Sequence, residues 1–209
     1  RTPQQVAEAL MRDLVEGEET PSSACTDRSR PAPVGKEVRA TLAGKHTAFE
    51  RLTRRVAQRE GPHIQHRVAL TDGAESLQHQ VHDRLSTFTL VLDIIHVIEY
   101  LWDAANALLG ETSPDRTPWV KEQLLHILSG RTCAVIQTLE NRVQDPALSP
   151  SQLRALSTTI GYYRRNLPYM CYNLCLAQGW PIGTGVVEGA CGHLVKDRME
   201  RSAMRWTQA

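Results

Sequence analysis

This 209-residue sequence lacks a long hydrophobic run, an excess of charge of one sign and an evenly paired set of cysteines. No apolar stretch approaches the ~20 residues that span a bilayer, and the first thirty residues contain no apolar core of a signal peptide. We therefore expect neither a membrane anchor nor export. The five cysteines, an odd number, do not resemble a disulfide framework and suit the reducing cytoplasm.

The composition is that of an ordinary globular protein, with 41% hydrophobic and 22% charged residues and a net charge of +1. This balance argues against a wholly basic nucleic-acid-binding chain. The charge is nevertheless segregated: residues 1–27 sum to −4, residues 28–67 to +7 and residues 68–209 to −2. A basic stretch is usually a solvated helix face, but it is also typical of a surface that contacts phosphates.

Two short apolar segments are each followed by an aspartate and then by a helical pattern. Residues 67–71 predict a strand that ends before Asp72 and Gly73, and residues 88–92 predict a second strand that ends before Asp93. The helix predicted over 94–109 is strongly periodic and stops at a glycine. In an α/β sheet the carboxyl ends of strands are where ligands and catalytic groups collect.

The remaining chain predicts mostly helices. A helix starts at Thr2 and Pro3, a mobile loop covers 18–35, and a short strand is expected over 38–42. Further helices are predicted over 47–59, 74–81, 118–128, 134–143, 151–161, 162–176 and 186–202. The predicted organisation is a helix and mobile loop (1–35), a first core part (36–110), a helical segment (111–178) and a C-terminal core part (179–209).

Three carboxylates form the most persuasive chemical constellation. Asp72 and Asp93 end the two predicted strands, and Glu188 lies in the first turn of a helix after the glycine-rich run 179–185. Converging carboxylates are suitable ligands for Mg²⁺. Two such ions ~4 Å apart can stabilise the attacking and leaving oxygens when a phosphodiester bond is displaced in line. The alternatives stay open at this point. Asp72 can be a turn or cap residue, and Glu188 can merely complement its helix dipole.

A resemblance adds to this pattern. Leu70-Thr-Asp-Gly-Ala74, the run from Leu92 to Trp102, and the run from Gly179 to Arg201 with Met204-Arg-Trp206 occur in this order. Together they resemble the ISKra-type insertion-sequence transposases of prokaryotes, from about residue 38 to the C-terminus. The resemblance implies an RNase H-like domain with a DDE triad that cuts and joins DNA using Mg²⁺, with Mn²⁺ as a substitute. Asp72 then matches the second triad aspartate, and Glu188 matches the triad glutamate.

The expected fold class is α/β: an RNase H-like core with a partial sheet, interrupted by an all-helical insertion and helix-rich overall. Between Asp72 and Glu188 lie 115 residues, more than one strand and one helix require. We assign the excess, residues 111–178, to the insertion, and related DDE transposases carry insertions of this kind.

Further residues have both a functional and an ordinary interpretation. Asp93 and His96 resemble a DxxH motif of related transposases, in which Asp93 is a third metal ligand and His96 faces the scissile phosphate. The alternative is a helix cap followed by a first-turn residue. The last predicted helix has a basic side that the resemblance assigns to DNA contact and that a solvated face explains equally: Lys196, Arg198, Arg201 and Arg205.

One element of the family pattern is missing. No acidic residue upstream of Asp72 ends a predicted buried strand, whereas the resemblance requires a first triad aspartate there. We therefore expect this chain to be a C-terminal fragment of a transposase and to be inactive alone. The full-length protein is expected to form a homo-oligomer, to bind double-stranded element ends and target DNA, and to lie in the cytoplasm of a prokaryote in association with the nucleoid. The alternatives are a non-catalytic DNA-binding remnant of a decayed mobile element and an unrelated helical interaction protein.

Overall fold

The computed structural model describes residues 2–15, 34–39 and 41–183. Within these ranges, helices surround a two-stranded parallel sheet. The helices are α1 (Pro3–Val15), α2 (Gly44–Arg59), α3 (Glu75–Arg84), α4 (Ile94–Leu109), α5 (Arg116–Leu128), α6 (Thr132–Val143), α7 (Pro150–Asn166) and α8 (Tyr172–Ala177), and the strands are β1 (Val68–Thr71) and β2 (Thr89–Leu92). The fold is therefore helix-rich, and its small parallel sheet is compatible with the predicted α/β class.

The two strands pair in parallel, with Val68 opposite Thr89 and Thr71 opposite Leu92. Parallel pairing requires a crossover connection, which α3 provides. Val91 and Leu92 are almost completely buried, as expected for a strand covered by helices. Both strands and both following helices were predicted from the alternation of short apolar runs with helical spacing, and the structure confirms them.

Local signals in the sequence set several helix ends. Ser149 and Gln152 form a reciprocal capping box at the start of α7, with Pro150 as the first helical residue. At the C-terminal end of α4, Gly110 follows the last helical residue and has a φ of 84°. Glycine is favoured there because other residues rarely adopt a positive φ.

One hydrophobic cluster joins almost every element. It contains side chains from β2 and from α4, α5, α6, α7 and α8. α4 packs against both α5 and α7, so the predicted insertion shares its core with the strand–helix part of the fold. Ala7 and Met11 of α1 are also buried in this cluster, and α1 packs on α5. The N-terminal helix is thus part of the same core.

The strand predicted over 38–42 is not observed. Residues 36–39 and 41 have irregular backbone, and residue 40 lies outside the described ranges. Val38 is 39% exposed, while the neighbouring Glu37 pairs with Arg55 and Arg59 of α2. Alternating side chains form a strand where one face is buried and a partner strand is present. Val38 is partly exposed, and no partner strand for this segment occurs among the residues that the structure describes.

The helix boundary predicted at Gly161 is also wrong. α7 continues through Gly161 to Asn166, a 3-10 turn covers Leu167–Tyr169, and α8 follows. A glycine inside a helix costs only about 1 kcal/mol relative to alanine, and the burial of its neighbours offsets this. The true break lies at Pro168, which has no backbone N–H to continue the helix.

Several predictions lie outside the described residues: the loop over 18–35 for almost its whole length, and the last helix over 186–202. None of the described helices is both long and apolar enough to cross a membrane.

Candidate functional site

Asp72 and Asp93 follow the paired ends of the two strands. Thr71 and Leu92 are register partners, so the two aspartates occupy the next positions on adjacent chains. The backbone N–H of Asp93 donates to the carbonyl of Thr71 at 2.9 Å, which extends the pairing by one residue. Neighbouring strands lie about 4.8 Å apart. Asp72 and Asp93 therefore lie at the same edge of the sheet.

Asp72 is exposed at the first turn after β1. Its carboxylate Oδ1 accepts a hydrogen bond from the backbone N–H of Ala74 at 2.9 Å, which is the geometry of an Asx turn. The turn interpretation of Asp72 is thus correct. The carboxylate of Asp72 can accept further bonds, because an ionised carboxylate offers about four acceptor positions and this hydrogen bond uses only one of them.

Asp93 is buried, with 1% of its surface exposed. Its Oδ1 accepts from the backbone N–H of Ile95 at 2.9 Å, so Asp93 is the N-cap of α4. The cap interpretation is confirmed. A carboxylate at the first turn of a helix is also stabilised by the helix dipole.

The segment that leads towards Glu188 reaches the same edge of the sheet. The backbone N–H of Ile94 donates to the carbonyl of Ile182 at 2.9 Å. At Gly183 an added Cβ would lie 3.5 Å from Asp93 Oδ1 and 3.1 Å from the Ile94 side chain. The last described residues of the chain are therefore held beside Asp93.

The remaining predicted site residues fall outside the part of the chain that the structure describes: Glu188, Lys196, Arg198, Arg201 and Arg205. The approach of the Asp72 and Glu188 carboxylates to bridging reach, roughly 4–7 Å, stays a prediction of two-metal chemistry.

Three tyrosine hydroxyls from the helical segment donate to backbone carbonyls around this edge. Tyr162 bonds to the carbonyl of Asp72 at 2.9 Å, and Tyr172 bonds to that of Leu92 at 2.9 Å. Tyr163 bonds to the carbonyl of Val97 at 2.7 Å. Burial raises the pKa of all three phenols above the usual value, so they remain neutral donors.

Sequence reasoning missed these tyrosines. The available signal was weak: two adjacent tyrosines in a helix that otherwise follows apolar spacing. A buried tyrosine usually finds a partner for its hydroxyl, but the sequence does not say which.

Arg165 supplies positive charge beside Asp72. One guanidinium nitrogen donates to the carbonyl of Gly73 at 3.3 Å, and another lies 3.5 Å from the carboxylate of Glu75. The guanidinium also stacks over the ring of Tyr162, 5.6 Å from its centre. A cation in this position is available to neutralise carboxylate or phosphate charge at the turn after β1.

His96 is partly exposed on the first turn of α4, and its Nδ1 lies 2.7 Å from a carboxylate oxygen of Glu99. This contact is made along the helix and not with Asp93. A carboxylate that bonds one ring nitrogen favours one orientation of a histidine ring. The phosphate-facing role of His96 stays a prediction.

No group of three or more histidine, cysteine, aspartate or glutamate side chains suited to a metal occurs within residues 2–15, 34–39 and 41–183. Asp72 and Asp93 provide two hard oxygen donors at one edge, which fits Mg²⁺ in ligand type. The third carboxylate of the predicted set, Glu188, lies outside these residues.

Comparison of the chain with protein-family models, with curated proteins and with solved structures finds no match.

Proposed function

We propose that this chain carries part of the catalytic site of a DDE-type DNA transposase of the ISKra insertion-sequence type. One observation carries the proposal: Asp72 and Asp93 end two paired parallel strands, and the segment before Glu188 is hydrogen-bonded at the same edge. Carboxylates collected in this way are suited to divalent metal and hence to phosphodiester chemistry.

The proposed fold is an RNase H-like core with the helices α5–α8 inserted into it. Its support is a parallel strand pair linked by a helix, with the candidate ligands at the carboxyl ends of the strands. No third strand pairs with β1 or β2 among the described residues. A two-stranded sheet is small for such a core, so we propose that further strands pair with it in the complete protein.

The proposed ligands are Asp72, Asp93 and Glu188. Glu188 follows Gly183 by five residues, and Gly183 lies beside Asp93. The chain between Gly183 and Glu188 spans at most ~18 Å when extended, so Glu188 cannot lie far from Asp93. Magnesium bound there would polarise the scissile phosphodiester and activate the attacking hydroxyl or water. The burial of Asp93 and its bond to Ile95 fix one carboxylate in place.

Other residues of the chain position these ligands and the DNA. Tyr162 and Arg165 donate hydrogen bonds to the backbone carbonyls of residues 72 and 73, respectively. These bonds restrain the turn after β1. We propose that His96, oriented by Glu99, faces the scissile phosphate. The proposed DNA contacts of the C-terminal helix are Lys196, Arg198, Arg201 and Arg205, and the proposed partners are element ends, target DNA and further copies of the protein.

The first test measures Mn²⁺ binding to the purified 209-residue chain by electron paramagnetic resonance. We expect one weakly held ion, because a site with an incomplete carboxylate set suits Mg²⁺ and Mn²⁺ poorly. Asp72→Asn and Glu188→Gln should each weaken binding roughly 10–100-fold or more, the loss known for changes around metal sites. The matched control is Asp83→Asn, an exposed carboxylate on α3 outside the site, which should leave binding unchanged.

The second measurement is strand cleavage of an end-containing duplex with Mg²⁺ or Mn²⁺. We expect no robust nicking by this chain alone, and loss of strand transfer with retained DNA binding for Glu188→Gln in the complete transposase. Nicking that disappears in Asp72→Asn would show instead that another acid of this chain completes the site. Mn²⁺ affinity equal in wild type, Asp72→Asn and Glu188→Gln would overturn the catalytic proposal and favour a DNA-binding remnant.

A further inference from the structure

The helix α2 carries a dense positive charge on an exposed surface. Its sixteen residues contain one acidic side chain and five basic ones, and none of its residues is fully buried. The basic members are Lys45, Arg51, Arg54, Arg55 and Arg59. A helix that buries so little apolar surface contributes weakly to the core, and its charged side chains are accessible to solvent or to a partner.

The apolar and basic sides of α2 point in different directions. Phe49 and Val56 pack against a small cluster formed by Val81, Leu85 and Leu90. Arg51 and Arg54 are exposed and three residues apart, which places them side by side on the helix surface. The contact side of α2 is therefore fixed, and the arginines project to solvent.

The arginines of α2 fall into two groups by their ion pairs. Arg55 and Arg59 pair with Glu37 at 2.7 and 3.1 Å, and the hydrogen bond from Arg55 is the largest cause of the lowered pKa of Glu37. Arg51 and Arg54 make no ion pair with any residue in the described ranges. Within the described part of the chain, two guanidinium groups without an ion pair thus lie next to two that an internal carboxylate already holds.

The basic helix begins next to the candidate metal site. The ammonium of Lys45 donates to the hydroxyl of Ser76 at 2.8 Å, in the first turn of α3. Ser76 is four residues after Asp72, and Arg165 reaches the carbonyl of Gly73 in the same turn. The N-terminal end of α2 and Arg165 therefore both bring positive charge to the segment that follows Asp72.

We propose that the outer face of α2 binds the backbone of duplex DNA, with Arg51 and Arg54 as phosphate contacts and Glu37 as an internal competitor for Arg55 and Arg59. The choice of DNA as partner rests on the proposed function. Arginine pairs with phosphate through two parallel hydrogen bonds. Glu37 occupies two of the four guanidinium groups and so reduces the charge that the DNA meets.

The composition of this face favours a duplex over single-stranded nucleic acid. Single strands are usually bound by aromatic rings on which successive bases stack. The one aromatic residue of α2, Phe49, packs inward. The face offers guanidinium groups without rings, which suits sequence-independent contact with a phosphate backbone.

The test is fluorescence anisotropy of a labelled random-sequence duplex with the full 209-residue chain, in EDTA, over a series of salt concentrations. Arg51→Ala with Arg54→Ala should weaken binding about tenfold at moderate salt and reduce the slope of log K against log salt by about 2, since each phosphate contact contributes about 0.9. The matched control is Arg142→Ala with Arg154→Ala, which removes the same charge from exposed positions on α6 and α7.

A second variant acts in the opposite direction. Glu37→Gln frees Arg55 and Arg59, so it should strengthen binding several-fold and steepen the salt slope. Equal affinities for the α2 variant and the α6–α7 control would overturn the proposal, and so would tighter binding of an RNA duplex of the same length than of DNA. Because EDTA removes divalent metal, this result is independent of the Mn²⁺ test: a failure there with success here leaves a DNA-binding surface without a catalytic site.

Discussion

At the scale of single residues, Asp93 is defined by two structural properties. It caps α4 through Ile95, and it lies buried at a strand end beside the segment that leads to Glu188. Both properties follow from one position, because Asp93 is the single residue between β2 and α4. A cap and a metal ligand are compatible, since the N–H bond uses only part of the carboxylate's acceptor capacity.

Two substitutions of Asp93 separate these properties. Asp93→Ala removes the cap and should lower the free energy of unfolding by about 0.5–2 kcal/mol, while Asp93→Asn keeps a capping oxygen and should stay within a few tenths of wild type. Both should weaken Mn²⁺ binding, because neither carries the negative charge. Denaturant unfolding and a Mn²⁺ titration of each variant give the two readouts. Wild-type Mn²⁺ affinity in the Asn variant would remove Asp93 from the ligands.

At the scale of elements, α7 shows how packing overrides a local break. Gly161 lies inside the helix, and a Cβ added there would meet no heavy atom within 4 Å apart from the helix's own backbone. Gly73 is the opposite case: its φ is 86°, and a Cβ there would approach the Tyr162 hydroxyl to 2.8 Å. Two glycines in one fold thus have different structural requirements.

Alanine substitutions at these glycines should change stability in opposite directions. Gly161→Ala should raise the free energy of unfolding by up to about 1 kcal/mol, the difference in helix propensity. Gly73→Ala should lower it by more than that, because both the positive φ and the contact with Tyr162 disfavour a side chain. Thermal unfolding followed by circular dichroism measures both. A Gly161→Ala variant less stable than wild type would contradict the open surroundings of Gly161 in α7.

At the scale of the whole molecule, the helical segment and the strand ends are parts of one packed unit. One hydrophobic cluster runs from α1 through α5 and α4 to β2. The hydroxyls of Tyr162, Tyr163 and Tyr172 add polar links from α7 and α8 to the carbonyls around the site. The backbone at Asp72 and Leu92 is therefore hydrogen-bonded directly to side chains of the helical segment.

The three tyrosines predict the behaviour of the chain in alkali. Their folded pKa values lie above the ordinary 10.0 because of burial, so the unfolded chain loses these protons first as the pH rises. The contribution of the three tyrosines to the free energy of unfolding should be complete below pH ~10. Above that pH the free energy of unfolding should fall by up to about 1.4 kcal/mol per pH unit for each tyrosine. Phenolate absorbance and helical circular dichroism should change together. Phenolate formation by these tyrosines with intact helices would contradict their burial.

The sequence by itself determined the elements that local chemistry specifies. Periodic apolar spacing set the bounds of α4, the capping residues around Ser149 started α7, and the short apolar runs before Asp72 and Asp93 became β1 and β2. These signals are sufficient because each depends on neighbours within a few residues. The same locality placed both aspartates at strand ends, which is the part of the candidate site that sequence reasoning could reach.

Only the tertiary structure decided the rest. The parallel pairing of β1 and β2 brought the two aspartates to one edge of the sheet. Packing of the helical segment placed the hydroxyls of Tyr162 and Tyr172 within hydrogen-bond distance of the backbone there. Tertiary packing also kept α7 continuous past Gly161 and placed α1 in the common core. These features depend on contacts between residues far apart in the chain, and the free energy of burying apolar surface there exceeds the small local preferences that the sequence displays.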